Sequence, residues 1–163
     1  MARHTKEIDQ LIETLKLSPH PEGGYYYQVY CSENKVSSPV NGKEKPSMTD
    51  IYFLLTGGQI SRFHRIIHDE IWHFYLGSPL TLIEINSDTL EKKQIVIGDQ
   101  KKIHFKHIVQ GGNWQSAYSN GDFSLVGCTV APGFEFEDFS FLSDNDLAFE
   151  SIINKYPDLH KFM

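Results

Sequence analysis

Several features that mark large classes of protein are scarce in this sequence. Its 163 residues include only two cysteines, Cys31 and Cys128, which cannot build a disulfide framework and are typical of a reducing cytosol. The N-terminal residues lack the apolar core of a secretory signal, and no apolar run approaches membrane-spanning length. We therefore expect a cytoplasmic protein with no membrane partner, in which both cysteines are small buried hydrophobes.

Positive charge is scarce as well. The chain carries 15 Lys and Arg against 21 Asp and Glu, so its formal net charge is −6. The basic pairs at 92–93 and 101–102 stand apart and form no stripe, so nucleic acid is not an expected partner. The sequence shows no internal repeat, low-complexity tract or linker, and a chain of this length can bury a substantial core. Residues 1–163 are therefore predicted to form one domain.

Short apolar runs, in contrast, are abundant from Tyr25 onward. Aromatic residues make up 13% of the chain, and runs rich in β-branched and aromatic residues alternate with turn residues. The regular spacing of these runs predicts an all-β sandwich or barrel. Val36 to Ser47, with its prolines and glycine, is predicted to be a long polar loop. The predicted strands read YYYQVYC, TDIYFLLTG, ISRFHRII, EIWHFYLG, LTLIEIN, KKQIVI, FKHIV, WQSAYS and FSLVGCTVAP.

Two short helices are predicted to flank the strands. Between residues 8 and 15, apolar side chains recur with the spacing of one helix face, after an expected N-cap at Thr5. The second helix is predicted over Leu147 to Tyr156, with its cap at Ser143 or Asp144.

The stretch SRFHRIIHDEIWHFYLG, from Ser61 to Gly77, concentrates histidines and acids. A helix would place His64 and His68 one turn apart, but Arg65 stands where a metalloprotease helix needs Glu. The density of Ile, Phe, Trp and Tyr instead predicts a hairpin of two strands that turns near His68 and Asp69.

Strand parity then predicts which of these side chains meet. Arg62, His64 and Ile66 share a face of the first strand, while Glu70, Trp72, Phe74 and Leu76 share a face of the second. We predict that His64 and Glu70 face each other at one end of an apolar barrel, within hydrogen-bonding or common-ligand distance. His73 is expected to point to the opposite face, and His68 is expected to be solvated in the turn.

The same stretch resembles the first cupin motif, G-x5-H-x-H-x3-4-E-x6-G. Gly58, His64, Glu70 and Gly77 match it, and Ile66 replaces the second histidine. The second motif, G-x5-P-x-G-x2-H-x3-N, is weak over Gln110-Gly111-Gly112-Asn113-Trp114-Gln115, where Gln110 replaces Pro and Gln115 replaces His. The segments LSPHPEGGYY, DIYFLL and LVGCTVAPGFEFEDF are similar to one cupin branch, the DUF985 or Cupin_5 proteins, over about residues 17–141.

This resemblance implies a fold more than an activity. It implies a cupin double-stranded β-helix, or jelly-roll barrel, with short N- and C-terminal helices, and usually a homodimer. Metal-binding cupins use about three His and one Glu, a donor set that suits transition metals. Carried over to this chain, the set is reduced to His64, Glu70 and the weak amide ligand Gln115. We therefore expect no tightly bound cofactor, and at most a weakly bound divalent transition metal.

Three functions remain open at this point. The barrel binds a small molecule, apolar or sugar-like, without an assigned reaction. Alternatively, the protein is an enzyme that uses His64 and Glu70, either as ligands of a metal or with His64 as a general base and a tyrosine as the acid, as in the sugar-nucleotide epimerase cupins that it resembles. In the third alternative His64 and Glu70 only satisfy each other in a structural barrel. The sequence does not choose among the candidate acids, which are Tyr25, Tyr26, Tyr27, Tyr52 and Tyr75.

Residues around the predicted barrel mouth complete the candidate site. The segment from His20 to Gly24 either lies across the mouth or is a linker that two prolines stiffen. The phenylalanines that follow Pro132 and Gly133 either pack in the core or form a pocket wall. The acids interleaved with them, Glu135, Glu137 and Asp138, are predicted to form a solvated face. The predicted ligand contacts are Arg62, Tyr52, Trp72, Gln115, Glu22 and Phe134.

Assembly is predicted from the apolar outer face of the second strand, Ile71, His73 and Tyr75. Together with the strand from Tyr25 to Tyr30, this face is expected to form a two-fold homodimer interface of more than ~1,000 Å². The alternative is a monomer in which the two terminal helices cover these faces.

Overall fold

The computed structural model describes residues 2–163, with side chains from residue 5 onward. Helix α1 spans Ala2–Thr14 and helix α2 spans Asp146–Lys155. Short 3₁₀ helices span Phe136–Asp138, Leu142–Asp144 and Pro157–Phe162. The strands are β1 Ser18–Pro19, β2 Tyr25–Cys31, β3 Lys35–Ser37, β4 Glu44–Pro46, β5 Thr49–Thr56, β6 Ile60–Ile66, β7 Asp69–Gly77, β8 Leu80–Ile85, β9 Lys92–Ile97, β10 Lys106–Val109, β11 Trp114–Ser119, β12 Phe123–Ala131 and β13 Phe139–Phe141.

Two antiparallel sheets face each other. One has the order β1-β2-β5-β12-β7-β10, the other has the order β13-β6-β11-β8-β9, and β3 pairs with β4 in a separate hairpin. Alternating apolar side chains from both sheets, such as Phe53, Trp72 and Leu82, form the core between them. The sheets stay separate along their edges, so they form a jelly-roll sandwich rather than a fully closed barrel.

The terminal helices cover the outer faces of the sheets. The apolar face of α1 packs against Leu54 and Leu125 of the six-stranded sheet. Ile152 of α2 and the C-terminal 3₁₀ helix pack against the five-stranded sheet. None of the helices within residues 2–163 is long and apolar enough to span a membrane.

Both predicted helix caps are corrected by the structure. Helix α1 already begins at Ala2, so Thr5 lies inside it. Helix α2 is capped by Asn145, whose side chain accepts a hydrogen bond from the Ala148 N–H at 3.1 Å, and not by Ser143 or Asp144.

The predicted hairpin from Ser61 to Gly77 is also corrected. Strand β6 belongs to the five-stranded sheet and β7 belongs to the six-stranded sheet, so the chain crosses between sheets at residues 67–68. A bulge in β6 places Ser61 opposite Ala117 and His64 opposite Gln115. The extra residue reverses the parity, so Ser61, and not Arg62, shares the inward face of His64.

Three further expectations fail in the outer layer. The predicted polar loop from Val36 to Ser47 contains the β3–β4 hairpin. This hairpin covers His68, which is buried with its Nε2 2.8 Å from Ser38 Oγ rather than solvated. Cys31 is exposed, while Cys128 is buried as expected.

The acids predicted to form a solvated face instead surround a buried cation. The ammonium of Lys45 lies 2.7 Å from Glu135 Oε2 and 2.8 Å from Asp138 Oδ2, and it also contacts Glu137. The Lys45 side chain is fully buried. We call these four residues the Lys45 cluster; it fastens the β3–β4 hairpin to the segment that follows β12.

Candidate functional site

A cavity of 360 Å³ opens between the two sheets at the end where His64 and Glu70 lie. Its floor is built by inward-facing residues of β2, β5, β6, β7 and β12. Two segments, residues 18–22 and 134–139, form the rest of its wall. The cavity is therefore the place where both sheets and both crossing segments bring side chains together.

His64 is held in one orientation at the cavity floor. Its Nδ1 donates a hydrogen bond to the Arg62 carbonyl oxygen at 2.7 Å, because a carbonyl can only accept. In the neutral ring Nε2 is therefore the bare nitrogen, and it faces Glu22 Oε2 at 3.3 Å. The ring stacks on Phe139 with centroids 5.1 Å apart.

The carboxylate paired with His64 is thus Glu22, which corrects the prediction of a direct pair with Glu70. Within the described part of the chain, His64 has its close acidic contact with Glu22. Glu70 acts on His64 only at longer range, through its charge. Strand parity could not have found Glu22, because it lies in the turn between β1 and β2.

The turn that carries Glu22 is fixed from several sides. Ser61 Oγ donates to Glu22 Oε1 at 2.7 Å, and the Arg62 N–H donates to the Glu22 carbonyl oxygen at 2.9 Å. The next residue, Gly23, has a φ of 113°, and a Cβ there would lie 2.2 Å from the Ile60 carbonyl oxygen. Only glycine fits this position, so Gly23 allows the turn to lie close enough to β6 for Glu22 to contact that strand.

Glu22 is the common neighbour of two histidines. The Glu22 N–H donates to His20 Nδ1 at 3.3 Å, so the bare nitrogens of His20 and His64 both lie close to Glu22 Oε2. Burial raises the pKa of Glu22, and burial lowers the pKa of His64 and of His20. These shifts bring the proton affinities of the carboxyl and the two imidazoles closer together.

Glu70 enters the cavity from the opposite sheet. Gln115 Nε2 donates to Glu70 Oε2, and Trp72 Nε1 donates to Gln115 Oε1 at 3.0 Å. Burial raises the pKa of Glu70 to about 6. Trp72 and Gln115 are both almost fully buried, so they orient Glu70 from within the core.

The residues predicted to hold a metal do not fit one. The Gln115 amide oxygen accepts a hydrogen bond from Trp72 and its NH₂ group donates to Glu70, so Gln115 offers no free donor atom to an ion. Ile66 offers no donor atom, and His64 Nε2 is committed to Glu22. Within residues 5–163, the three acids close enough to share an ion are those of the Lys45 cluster, and the lysine ammonium already lies among them.

Four predicted ligand contacts do not line the cavity. Because of the bulge in β6, the Arg62 guanidinium is turned outward, where it donates to the Pro21 carbonyl oxygen at 2.8 Å and lies 4.2 Å above the Phe141 ring. Tyr52 points to the outer face of its sheet and contacts Tyr75, with ring centroids 5.9 Å apart. Trp72 and Gln115 lie beneath the floor rather than in it.

Other expected residues do reach the cavity. Glu22 and Phe134 both line it, so the segment from His20 to Gly24 lies across the mouth. Of the five candidate tyrosines, Tyr26 and Tyr27 line it. His73 lies outside it, with Nε2 3.1 Å from Thr129 Oγ1.

Sequence reasoning did not select two other lining residues for the site. His20 is adjacent to Glu22 in a segment already noted for its histidine and acid, so it could have been found. Cys128 lies on β12 beside Glu70, and burial raises the pKa of its thiol well above the usual value. Its strand pattern of a small apolar residue gave no signal for a place in the site.

Two facing antiparallel sheets, with a cavity at one end that holds histidine and carboxylate side chains, define a double-stranded β-helix of the cupin type. The chain belongs to the DUF985 family of the cupin superfamily, whose family model matches residues 9–142. The predicted fold class and the predicted family resemblance are therefore confirmed.

Relatives cover nearly the whole chain. The "Uncharacterized protein YML079W" of Saccharomyces cerevisiae is 30% identical over 162 residues, which cover 90% of this chain and 80% of that protein. Among solved structures, a "Hypothetical protein from Leishmania major" has 29% identity and a TM-score of 0.85, covering 95% of this chain and 97% of that one. Protein SO0799 from Shewanella oneidensis has 36% identity and a TM-score of 0.77, covering 92% and 90%.

A more distant similarity concerns the fold alone. Oxalate decarboxylase from Bacillus subtilis has 14% identity and a TM-score of 0.57. The match covers 85% of this chain and 34% of that enzyme.

Proposed function

We propose that this protein binds a small molecule, apolar or sugar-like in shape, in the cavity between its sheets. The observation that supports this proposal is a 360 Å³ space that the core side chains leave open and into which buried ionisable groups project. Ligand sites have volumes of about 300–1,000 Å³ and combine apolar walls with a few convergent polar groups. A barrel with a purely structural role would gain nothing from burying the acids Glu22 and Glu70 in this space, because burial of a carboxylate costs free energy.

A second proposed function is proton transfer to or from the bound molecule. It is supported by the contact between Glu22 and His64, whose facing atoms are 3.3 Å apart. Burial raises the pKa of the carboxyl and lowers the pKa of the imidazole, so a proton moves between the two groups at smaller cost, as general acid–base catalysis requires. Tyr26 and Tyr27 are the tyrosines placed to assist. In D₂O, turnover is detected as deuterium that the molecule gains at carbon and keeps after return to H₂O, a gain that is absent with Glu22→Gln.

The binding proposal is tested by filling the cavity. Ile51 lines it, while the next residue on β5, Tyr52, faces the other side of the sheet. After incubation with a metabolite extract of the expression host and gel filtration, mass spectrometry should find a small molecule retained by the unaltered protein. We expect Ile51→Trp to lose at least about nine-tenths of it, a loss of more than 1.4 kcal/mol in binding free energy.

Tyr52→Trp is the matched control, since it adds the same indole to the opposite face. It should retain the molecule at the level of the unaltered protein. Equal retention by Ile51→Trp and Tyr52→Trp, or no retained molecule in any of the three proteins, contradicts binding in this cavity.

A two-fold homodimer is proposed as the assembly. Large apolar side chains on the outer face of the six-stranded sheet remain exposed beyond the area that α1 covers, including Tyr75 and Ile108 at 47% and 56%. A second copy of the same face is the commonest way to cover such a surface.

The two free cysteines also support the proposal of a cytoplasmic protein.

Sedimentation at micromolar concentration checks the dimer. The unaltered protein should sediment at twice 18.7 kDa. The double variant Tyr75→Arg with Ile108→Asp should sediment as a monomer, because it buries two charges in the proposed interface. Leu147→Arg alters an 80% exposed leucine on α2 and should remain a dimer. A monomeric unaltered protein refutes the proposal, as does a double variant that still dimerises.

A further inference from the structure

We propose that the ligand of this cavity is an organic cation: a compact ring or apolar body that carries a protonated amine or a quaternary ammonium group. The inference rests on the small-molecule binding proposed above and narrows it to one class of ligand. It follows from the charges that line the cavity, from the partners of the buried acids, and from the aromatic side chains of the wall.

The lining is one-sided in charge. Three carboxyl side chains, those of Glu22, Glu70 and Glu135, line the cavity, and no lysine or arginine of the described chain does. The nearby cations are used elsewhere: the Arg62 guanidinium points outward to Pro21, and Lys45 lies behind Glu135 within its own cluster. A ligand phosphate or carboxylate would therefore meet buried acids and no counter-ion, which disfavours anionic ligands.

Neither of the two deeply placed acids forms an ion pair with a lysine or arginine of the described chain, and Arg62, whose guanidinium points outward, acts on Glu22 only through its charge. Ser61 and Gln115, which are neutral, donate the side-chain hydrogen bonds of Glu22 and Glu70. Both glutamates are less than a tenth exposed. A buried carboxylate held by neutral donors alone is poorly compensated, and burial accordingly raises the pKa of both groups. A ligand ammonium between the two sheets would supply the missing positive charge.

Aromatic rings form the remaining wall. Phe134 and Phe136 meet edge to face with centroids 5.1 Å apart, and Phe139 lies 6.3 Å from Phe134. The His20 ring stacks on Phe136 at 6.1 Å and contacts Phe53 at 5.8 Å. Ring faces attract ammonium groups, and aromatic cages are a known way to bind them. The same rings also accept the apolar body of the ligand, so acids and rings favour one kind of molecule.

Three probes of similar shape and different charge test this inference. Isothermal titration calorimetry at pH 7.5 compares benzylamine, benzyl alcohol and benzoate. We expect benzylamine to bind at least about tenfold more tightly than benzyl alcohol, and benzoate to bind more weakly than both. In Glu70→Gln the preference for benzylamine over benzyl alcohol should fall about tenfold or more, while the affinity for benzyl alcohol stays nearly constant.

Glu84→Gln is the matched control. Glu84 is also a buried acid on an inward strand face, but it is bound by His107 and Asn113 and does not line the cavity. Its replacement should change the preference less than twofold. An equal loss in Glu84→Gln would assign the effect to the overall charge of the protein and overturn the inference.

The remaining outcomes separate this inference from the function on which it rests. If benzyl alcohol or benzoate binds as tightly as benzylamine, the inference of a cationic ligand is overturned, while the proposal of small-molecule binding stands. If none of the three probes binds at millimolar concentration, the inference of a cationic ligand is also overturned. The proposed function itself is then decided by the retention experiment with Ile51→Trp, which uses no charged probe.

Discussion

Replacing Lys45 by methionine should lower the free energy of unfolding by about 3 kcal/mol, the scale for removing one partner of a buried ion pair. Methionine keeps most of the length of the side chain but leaves the Asp138 carboxylate, 4% exposed, without its counter-ion. Burial alone would lower the pKa of Lys45, but the hydrogen bonds to Asp138, Glu135 and Glu137 outweigh it and raise the pKa above the usual value. The lysine is therefore charged across the pH range in which the protein is studied.

Lys43→Met is the control for this prediction. Lys43 is on the same hairpin and lies 3.3 Å from the same Glu137, but 57% of its side chain is exposed. Exposed ion pairs contribute little, so the free energy of unfolding should stay nearly unchanged. Urea unfolding followed by circular dichroism measures both variants at pH 7.5. A similar loss in both, or less than about 1 kcal/mol in Lys45→Met, shows that the Lys45 cluster does not fasten the hairpin to the cavity wall.

The parts of the fold that the sequence predicts are those set by local chemistry. Strand runs such as TDIYFLLTG combine alternating side chains with flanking turn residues, and these signals need no distant contact. The helix face between residues 8 and 15 is read in the same way. The position of the site follows too, because Glu70 is the polar residue at the start of the apolar inward face of β7 and His64 lies near the end of the strand before it. Both reach the cavity.

The pairing of these residues depends on contacts that local patterns do not contain. A turn at His68 and Asp69 looks the same whether the next strand pairs with the last one or crosses to the other sheet. The bulge that turns Arg62 outward inserts one residue without a distinctive signal. Glu22, which takes the place expected for Glu70 beside His64, comes from a turn outside both strands.

The burial of charged side chains is the feature that the sequence predicts least well. The acids after Phe134 have the composition of a solvated face, and Lys45 stands in a polar stretch. Their contacts join residues 90 and 92 positions apart, so only the packing of two distant segments buries the lysine. Local polarity predicts exposure on average, and it fails where an ion pair closes a wall.

Replacing Glu70 by glutamine should stabilise the protein at neutral pH. Burial raises the pKa of this carboxyl from 4.5 to about 6, so the folded state holds the proton more tightly than the unfolded state. Ionisation above pH 6 therefore costs the folded protein about 2 kcal/mol, at 1.36 kcal/mol per pKa unit. Below pH 4.5 both states are protonated and the cost vanishes. Glutamine removes the charge and keeps a carbonyl oxygen for the Gln115 N–H.

Urea unfolding of Glu70→Gln and the unaltered protein should thus differ by about 2 kcal/mol at pH 7.5 and by less than about 1 kcal/mol at pH 5. Taking the difference between the two proteins cancels the histidines on which Glu70 does not act, whereas the pKa of His64 falls further in the variant because the Glu70 charge that raises it is lost. Glu84→Gln should instead lower the free energy of unfolding at pH 7.5. Burial raises the pKa of Glu84, but hydrogen bonds with His107 and Asn113 outweigh it and lower the pKa, so its charge stabilises the folded state above pH 4.5.

The two ionised glutamates change the free energy of unfolding in opposite directions. This difference distinguishes an acid that stabilises the fold from an acid that serves a ligand. Glu84 lines a separate pocket, but it is matched there by His107 and Asn113 and stabilises the fold, whereas Glu70 has the neutral Gln115 amide as its donor and destabilises the fold. A destabilising ionised group persists when something outside the folded chain compensates it, as a bound ligand does. If Glu70→Gln loses stability at pH 7.5, or if its effect does not change between pH 5 and pH 7.5, Glu70 is a structural acid and the cavity has no uncompensated charge for a ligand to balance.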